Sequence, residues 1–271
     1  MNKRTYRRVM TVAGSDPSGG AGIQADIKTI SACGCFATSA IVAVVDENTV
    51  GVTGIHPVPE DFVVGQIHSI LDDIGTDAVK IGMLHSSELI QAVRGVLDEY
   101  PEITDIVLDP VMVATSGDPL LHPHAVNTLR DTLIPRSRVI TPNIPEAEML
   151  LGRKIRHQDE LPDVAVELSR LGASVFLKAG HLTDSRLVDI FYDAENKSLI
   201  ELPSERVDTV NTHGTGCTLS SAIASYLALG NSLVDSARLA KRYINDAIVA
   251  GAKYQIGHGH GAVHHFHSFW Q

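Results

Sequence analysis

Apolar and polar positions alternate along the chain in two patterns, one of short strands and one of longer helices. The predicted strands, which are short apolar runs rich in β-branched residues, are Val9–Gly14, Ile41–Val45, Ala78–Met83, Asp105–Val111, Arg138–Pro142 and Ser174–Ala179. The predicted helices between them lie near Gly22–Ala32, Glu60–Asp73, Ser87–Tyr100, His124–Leu133, Pro145–Leu151 and Gln158–Leu171. Strands that are apolar on both faces and separated by helices are typical of βαβ units. The pattern therefore predicts an α/β fold with a mostly parallel central sheet.

The last third of the chain follows a different order. Residues Leu187–Arg206 alternate like a hairpin around the turn-rich segment Asp193–Lys197, which predicts an antiparallel edge to the sheet. A helix follows a Gly-rich loop and ends near Gly230, and a last helix spans about Leu233–Tyr254. Since there is no linker, repeat or low-complexity segment, we expect a single domain over residues 1–271.

Five predicted strands end in tails that contain glycine or polar residues. The tails are AGSD at 13–16, KIGM at 80–83, LDPV at 108–111, TPN at 141–143 and KAGH at 178–181. In open parallel sheets, ligands bind beyond the carboxyl ends of the strands. This edge of the sheet is therefore the predicted site.

The net charge of the chain limits the kinds of partner that the protein can bind. The 271 residues include 22 Lys+Arg and 32 Asp+Glu, a net charge of −10, which argues against nucleic acids or anionic membranes as main partners. An anionic small substrate remains compatible where local cations or backbone amides offset the surplus of negative charge.

The cysteine content indicates the compartment. Three cysteines form no disulfide framework and indicate a reducing compartment. The apolar run Val9–Gly14 is too short for a signal-peptide core, and no run approaches the about 20 residues of a transmembrane helix, so we expect a cytoplasmic protein.

The first Gly-rich segment, AGSDPSGGAGIQAD at 13–26, follows a strand and opens a helix. It lacks the Lys of a phosphate-binding P-loop and the spacing of a dinucleotide fingerprint, so a tight β–α turn is an equally good interpretation. Asp26 is more informative because it interrupts an apolar helix face. An unpaired carboxylate there is costly, so Asp26 needs a polar partner or a ligand.

The second Gly-rich segment, THGTGCTLS at 212–220, opens the helix that ends near Gly230. Successive backbone N–H groups at a helix N-terminus form an anion hole, which the helix dipole strengthens. We expect the pKa of Cys217 to be lowered at this terminus. The alternative is that Cys217 fills a small buried space, as free cysteines commonly do.

Four further polar residues lie at strand ends or just after them. Asp109 ends one strand, Lys178 ends another, and Asn143 and Glu146 occupy a strand-to-helix turn. Carboxylate and amide oxygens hold Mg²⁺ directly or through water, and a lysine neutralises phosphate oxygens. Glu146 has a second interpretation, as an acid that serves only the helix dipole.

Six segments of the chain together resemble one known family. They are GSDPSGGAGIQAD at 14–26, KIGM at 80–83, TPNIPEA at 141–147, KAGH at 178–181, NTHGTGCTLS at 211–220 and GHGHGAVHHF at 257–266. In this order, from about Val9 to Trp270, they resemble the hydroxymethylpyrimidine/phosphomethylpyrimidine kinases of thiamine biosynthesis, a branch of the ribokinase-like superfamily. The resemblance implies a three-layer αβα fold and a homodimer. It also implies transfer of phosphoryl groups from ATP, with Mg²⁺, to 4-amino-5-hydroxymethyl-2-methylpyrimidine and then to its monophosphate, giving the diphosphate.

The resemblance also implies roles for individual residues. The pyrimidine pocket is matched by Gly14, Asp26, Met83 and Val111. The nucleotide and metal region is matched by Asn143, Glu146 and Lys178. Beside this match, we expect Asp109 and Glu146 to lie around Mg²⁺, Lys178 to bind phosphate oxygens and Thr215 to bind the nucleotide. The anion hole for the transferred phosphoryl group is matched by Gly214, Gly216 and Cys217, and Cys217 is the expected proton acceptor for the substrate oxygen.

Two parts of the chain qualify the resemblance. Glu47 stands where the family often has a Gln that hydrogen-bonds the pyrimidine, and an ionised Glu only accepts hydrogen bonds. We expect Glu47 to bind the substrate by accepting from its exocyclic amine, or to shift the preference towards a relative such as pyridoxine. Five histidines crowd the last 14 residues, where packing is a better interpretation than metal binding. Pyridoxine or pyridoxal kinase activity and a pyrimidine-binding sensor without catalysis are the alternatives.

Overall fold

The computed structural model describes residues 4–112, 123–182 and 185–270. Within these residues, eight strands form a central sheet, and two more, β3 and β4, form a separate hairpin. In chain order the strands are β1 (Arg8–Ala13), β2 (Phe36–Ile41), β3 (Ala43–Asn48), β4 (Gly51–Pro57), β5 (Ala78–Ile81), β6 (Ile106–Leu108), β7 (Val139–Ile140), β8 (Ser174–Leu177), β9 (Arg186–Asp193) and β10 (Ser198–Glu205). The helices are α1 (Gly22–Ala32), α2 (Glu60–Asp73), α3 (Ser87–Glu99), α4 (Pro123–Thr128), α5 (Ile144–Leu151), α6 (Leu161–Ser169), α7 (Thr215–Ala228) and α8 (Leu233–Gly251). A π-helical turn (Leu129–Leu133) and a 3₁₀ turn (Ile134–Arg136) continue α4, and a 3₁₀ turn (Gln158–Glu160) precedes α6.

The strand order in the large sheet is β10-β9-β8-β7-β6-β5-β1-β2. All pairs from β8 to β2 are parallel, and β9 pairs antiparallel with both β8 and β10. The predicted parallel sheet and its antiparallel edge are both confirmed. Every residue of β5, β6 and β8 is buried, which explains why these strands are apolar apart from Lys80 and Ser174.

Helices cover both faces of the sheet, so the expected three layers are present. Ile67 of α2, Leu89 of α3 and Val164 of α6 pack in one apolar core with Val79 and Ile81 of β5. A second core includes residues of α1, α7 and α8 and the β5 residue Ala78, together with Val9, Val107 and Val139. Successive residues of a strand point to opposite faces, so the two cores lie on opposite sides of the sheet.

The prediction of one strand over Ile41–Val45 is wrong, because the chain bends at Val42. β2 ends at Ile41 beside β1, and β3 then leaves the sheet to pair with β4 as a separate antiparallel hairpin. Val42 donates a backbone hydrogen bond to Ala13 at 3.0 Å, and Ser15 donates one to Ala43 at 2.9 Å. These bonds tie the bend to the end of β1, so the hairpin stands over the carboxyl edge of the sheet.

Two further strands are shorter than predicted, because the chain leaves the sheet at its carboxyl edge. The predicted strand Asp105–Val111 is regular only over Ile106–Leu108, and Arg138–Pro142 only over Val139–Ile140. Asp109, Pro110 and Val111, which the prediction placed in the strand, lie outside it at the carboxyl edge of the sheet. In the part of the chain that the structure describes, no helix is both long and apolar enough to cross a bilayer.

Candidate active site

A cavity of about 640 Å³ lies along the carboxyl edge of the parallel strands. The predicted site residues in its wall are Gly14, Glu47, Met83, Asp109, Val111, Asn143, Glu146, Lys178, Gly214, Thr215, Gly216 and Cys217. Residues from all five predicted strand tails line it, so the tails meet at one cavity, as the sequence predicted. Of the predicted site residues, all of which are described, Asp26 is the one that the cavity wall does not include.

One part of the cavity, which we call the phosphate end, is built around Lys178. Its Nζ lies 3.1 Å from Asp109 Oδ1 and 4.0 Å from Glu146 Oε2, and its side chain is largely buried. Burial alone would lower the pKa of Lys178, but the negative charges of Asp109 and Glu146 outweigh burial and raise it. Lys178 is therefore a permanent cation between two carboxyl groups.

The Gly-rich loop at the start of α7 closes the phosphate end. Gly214 has φ +77°, and a Cβ there would lie 1.8 Å from the carbonyl oxygen of Gly20, so only glycine fits. A Cβ on Gly216 would lie 3.1 Å from Asp109 Oδ2 and 3.2 Å from Lys178 Nζ. The backbone of the α7 N-terminus thus lies close enough to the Lys178 ammonium group for one phosphate group to contact both.

Glu146 serves the helix start and the cavity together, so its two interpretations are compatible. Asn143 caps α5: its Oδ1 accepts from the Glu146 amide at 2.9 Å, and Glu146 Oε2 accepts from the Asn143 amide at 2.8 Å. Burial raises the pKa of Glu146 to about 7, aided by the charge of Asp109 and opposed by that of Lys178. Asp109 Oδ1 also accepts from Thr141 Oγ1 at 2.8 Å, which fixes the carboxyl group that faces Gly216.

The expected lowering of the Cys217 pKa is wrong. Burial, aided by the nearby charges of Asp26 and Asp109, raises the pKa of this thiol to about 12. The charge of Lys80 and a hydrogen bond from the Gly22 backbone act in the opposite direction but are outweighed. The helix terminus acts locally, whereas burial and two carboxylates depend on the whole fold, and the latter dominate here.

Asp26 lies beneath the cavity, paired with a lysine that the sequence analysis did not single out. Lys80 Nζ is 2.9 Å from Asp26 Oδ2, and both side chains are completely buried. Thr11 Oγ1 donates to the same oxygen at 2.6 Å, and Ser221 Oγ donates to Oδ1 at 2.8 Å. The polar partner expected for Asp26 is therefore Lys80, whose pKa its charge raises against the effect of burial. Lys80 itself reaches the cavity wall.

The opposite part of the cavity, which we call the substrate end, lies between the start of α1 and the β3–β4 hairpin. Val45, Glu47, Met83 and Val111 line it beside Gly14. A Cβ on Gly14 would lie 2.9 Å from Met83 Cε, so glycine leaves room for a flat group against the methionine. Of the residues that the resemblance matches to the pyrimidine pocket, Gly14, Met83 and Val111 line this end and Asp26 does not.

A buried histidine between two carboxylates completes the substrate end, and sequence reasoning missed it. His213 Nε2 lies 2.9 Å from Asp16 Oδ2 and 3.9 Å from Glu47 Oε1. Burial would lower the pKa of His213, but the Asp16 hydrogen bond and the two negative charges raise it. Burial would raise the pKa of Asp16, yet hydrogen bonds from His213, Ser18 and the Ala21 amide lower it. His213 and Asp16 lie inside quoted motifs, but nothing local shows that they meet.

The third part of the cavity, near α8, combines an apolar wall with polar residues at its edge. Leu219, Ile244, Ile248 and Val207 line it, together with the backbone after Lys178. Lys241 lies at its edge, where Nζ donates to Asp189 Oδ2 at 2.7 Å and to Ser204 Oγ at 2.9 Å. These residues were not predicted, because the apolar spacing of α8 looks the same whether it faces a core or a cavity.

Comparisons with known proteins identify the family. The model of the phosphomethylpyrimidine kinase family matches residues 16–264. A hydroxymethylpyrimidine/phosphomethylpyrimidine kinase of Rhizobium meliloti is 44% identical over 264 residues, covering 97% of this chain and 98% of the relative. The Escherichia coli protein of the same name is 43% identical over 263 residues, covering 96% and 98%.

A solved structure with a similar fold supports the same family assignment. The ADP complex of Bacillus subtilis pyridoxal kinase has a TM-score of 0.88 at 34% identity, covering 96% of this chain and 98% of that one. Together with the sequence matches, this likeness confirms the ribokinase-like fold and the expected resemblance. The chain belongs to the phosphomethylpyrimidine kinase family.

Proposed function

We propose that the protein transfers the γ-phosphoryl group of ATP to 4-amino-5-hydroxymethyl-2-methylpyrimidine and then to its monophosphate. The observation that carries the proposal is the two-ended cavity, in which Lys178 and the α7 loop lie beside a pocket formed by Gly14, Met83 and Glu47. Two relatives more than 40% identical over nearly the full chain bear the name of this activity.

The phosphate end supplies charge stabilisation. Phosphoryl transfer passes through a loose transition state, so positioning and electrostatics matter more than a strong base. Lys178 binds oxygens of the transferred group, and the backbone amides of Gly214, Thr215 and Gly216 bind the rest. These donors are fixed before substrate arrives, because strand β8, the cap of α5 and the glycine contacts hold them.

Asp109 and Glu146 fit a divalent cation beside Lys178. Two buried carboxyl groups at one edge of the cavity are hard oxygen ligands of the kind that Mg²⁺ prefers, directly or through water. When bound there, Mg²⁺ would neutralise charge on the phosphate oxygens. Thr141 and Asn143 hold the two carboxyl groups in place for this role.

Cys217 enters the reaction as a neutral thiol, since its pKa is raised to about 12. We propose that its sulfur contacts the substrate oxygen and takes the hydroxyl proton as the oxygen–phosphorus bond forms, while its own S–H proton passes to an oxygen of the transferred phosphoryl group, so that the thiol stays neutral. In the second phosphorylation the nucleophile is a phosphate oxygen that is already ionised, so no proton acceptor is needed. A weak acceptor therefore suits an enzyme that phosphorylates twice.

The two remaining parts of the cavity each bind one of the two substrates. The apolar part near α8, with Ile244 and Ile248, fits the base of ATP, and Asn143 and Thr215 lie between it and Lys178 in the nucleotide region. At the substrate end, Glu47 accepts from the exocyclic amine of the pyrimidine and favours a protonated ring nitrogen. Pyrimidine affinity that rises towards acid pH, and rises less in a Glu47→Gln variant, tests this; equal pH profiles would contradict it.

A second candidate activity is phosphorylation of pyridoxine or pyridoxal. The pyridoxal kinase of Bacillus subtilis shares the fold at a TM-score of 0.88, and Glu47 differs from the family's usual Gln. A coupled assay of ADP formation with the hydroxymethylpyrimidine, its monophosphate and pyridoxine, side by side, separates the candidates. The proposal expects turnover with both pyrimidines. Turnover with pyridoxine alone would overturn it, and binding without ADP formation would instead indicate a pyrimidine sensor.

We also propose that the chain acts as a single-domain homodimer in the cytoplasm. The exposed apolar residues Val44, Val50 and Ile55 of the β3–β4 hairpin support association of two copies. The net charge of −10 supports small molecules rather than nucleic acid or membrane as partners. Light scattering during size-exclusion chromatography tests the dimer.

A further inference from the structure

The tail motif G-H-G-H-G at 257–261 has no role in the proposed chemistry, yet it touches both sides of the substrate end. After α8 the chain crosses the tip of the β3–β4 hairpin and then runs beside the segment that precedes the α7 loop. We call residues 257–262 the tail strap. Its contacts explain why three glycines alternate in this motif.

At the hairpin tip, three consecutive amides of the tail strap converge on Thr49. The amides of His258 and Gly259 donate to Thr49 Oγ1 at 3.2 Å each, and the amide of His260 donates to the Thr49 carbonyl oxygen at 2.7 Å. Thr49 lies two residues from Glu47, beyond a register shift between Asp46 and Glu47. A single residue at the tip thus anchors the strand that carries Glu47.

The glycines of the tail strap permit this close approach. A Cβ on Gly257 would lie 2.2 Å from Thr49 Oγ1, and one on Gly259 would lie 2.0 Å from the Thr49 carbonyl oxygen. Gly257 also has φ +68°. Side chains at these positions would push the strap away from Thr49, so the glycines serve the contact and not flexibility.

The other end of the strap holds the segment before the phosphate loop. The His213 amide donates to the Gly261 carbonyl oxygen at 3.0 Å. A Cβ on Gly261 would lie 2.1 Å from Asn211 Oδ1, and Asn211 Nδ2 donates to the carbonyl oxygens of Gly251 at 2.8 Å and Tyr254 at 2.6 Å. The strap therefore fixes both Glu47 and His213, whose side chains lie 3.9 Å apart.

We propose that Thr49 is a positioning residue for the substrate end, acting through the tail strap on the distance between Glu47 and His213. The Thr49 hydroxyl is the adjustable part of the contact, because it accepts two of the three hydrogen bonds. Thr49 contacts the strap at its hairpin end only, and Lys178 and Glu146 have their own supports in the Asn143–Lys178 bridge and the α5 cap, so loss of the Thr49 contact affects the phosphoryl acceptor and not ATP. The identity of that acceptor rests on the proposed function.

The matched variants Thr49→Val and Thr49→Ser test this role. Valine keeps the shape and removes the acceptor, whereas serine keeps the acceptor. We expect Thr49→Val to raise KM for the pyrimidine about tenfold, the effect of losing two hydrogen bonds, with KM for ATP and kcat within about twofold of the parent. Thr49→Ser should restore the parent KM. Unchanged pyrimidine KM in Thr49→Val, or equal rises in both KM values, would overturn the proposal.

A second pair of variants separates positioning from general destabilisation. Gly259→Ala introduces the clash with Thr49 and should act like Thr49→Val. Gly51→Ala, in the same hairpin but with open space around its added methyl group, should act like the parent. A Gly259→Ala variant whose losses match those of Gly51→Ala would contradict the role of the strap.

Hydrogen exchange of the hairpin amides, residues 43–57, tests the strap without any substrate. Exchange should accelerate in Thr49→Val and not in Thr49→Ser; equal exchange would overturn the proposal. If the parent protein fails to phosphorylate the pyrimidine, the proposed function fails while this readout still decides on the strap.

Discussion

Each end of the cavity has a cationic side chain between two carboxyl groups, a lysine at the phosphate end and a histidine at the substrate end. At the phosphate end Lys178 lies 3.1 Å from Asp109 and 4.0 Å from Glu146, and at the substrate end His213 lies 2.9 Å from Asp16 and 3.9 Å from Glu47. A lysine with a raised pKa stays charged at every physiological pH, whereas a histidine titrates. We infer that the cation of the phosphate end keeps its charge at physiological pH, where only the Glu146 carboxyl, with a pKa raised to about 7, titrates, whereas at the substrate end the cation itself titrates.

The two ends also differ in how the chain builds them. Lys178, Asn143 and Glu146 follow buried strands or begin a helix, so neighbouring residues position them. His213 and Asp16 are separated by 197 positions and meet only through the fold, which the tail strap then stabilises. Changes at the phosphate end should therefore act on catalysis, and changes at the substrate end on affinity.

The largest effect is expected from Lys178→Ala. Removing the ammonium group leaves two buried carboxyl groups facing incoming phosphates, so kcat/KM should fall about 10³-fold, the scale of losing a fixed charge at a transition state. Steady-state ADP formation measures it. Lys154→Ala, which removes an exposed lysine paired with Glu148, is the control and should be silent. Comparable losses in both variants would remove Lys178 from the phosphate end.

Gly216→Ala tests the approach of the α7 backbone to Lys178. Its methyl group would lie 3.1 Å from Asp109 Oδ2 and 3.2 Å from Lys178 Nζ, occupying the space of a phosphate oxygen. We expect kcat to fall about 10²-fold, as when one transition-state donor is displaced. Gly95→Ala on α3, where an added methyl meets nothing, is the matched control. A fully active Gly216→Ala enzyme would show that phosphate binds elsewhere.

Cys217→Ala tests the division of labour between the two phosphorylations. Only the first nucleophile has a proton to lose, so we expect about a 30-fold loss in the first step and about a threefold loss in the second, at the low end of the effects of proton transfer. Single-turnover quench experiments with each acceptor measure the two rates. Equal losses would refute a role in proton transfer.

The smallest effect concerns pH and the His213–Asp16 pair. A histidine whose folded pKa is raised stabilises the protein fully below its ordinary value of 6.5, and this contribution is lost as pH rises through the folded pKa. The stability advantage of the parent over His213→Gln should therefore shrink by about 1–2 kcal/mol as pH rises above that value, the scale of a hydrogen bond between charged groups. Urea unfolding at a series of pH values measures it. A difference that is constant with pH would show a neutral His213.

The sequence predicted the parts that local patterns determine and missed those that depend on distant contacts. It predicted the parallel sheet and the meeting of the polar tails at one edge, where the cavity lies, because buried strands and their polar tails are local features. It gave the wrong pKa direction for Cys217, because burial by the whole fold outweighs the helix terminus. It placed Asp26 in the pocket, because the spacing could not reveal Lys80 beneath it. The β3–β4 hairpin was missed because Val42 joins two strands without a break in the apolar pattern.

The central claim is that one cavity phosphorylates the pyrimidine twice. Phosphorus NMR of a single reaction of the protein with ATP, Mg²⁺ and the hydroxymethylpyrimidine tests it most directly. The account predicts that a monophosphate ester signal appears first and gives way to two coupled diphosphate signals, while ADP accumulates. ADP formed together with inorganic phosphate only, or a monophosphate that never converts, would contradict it.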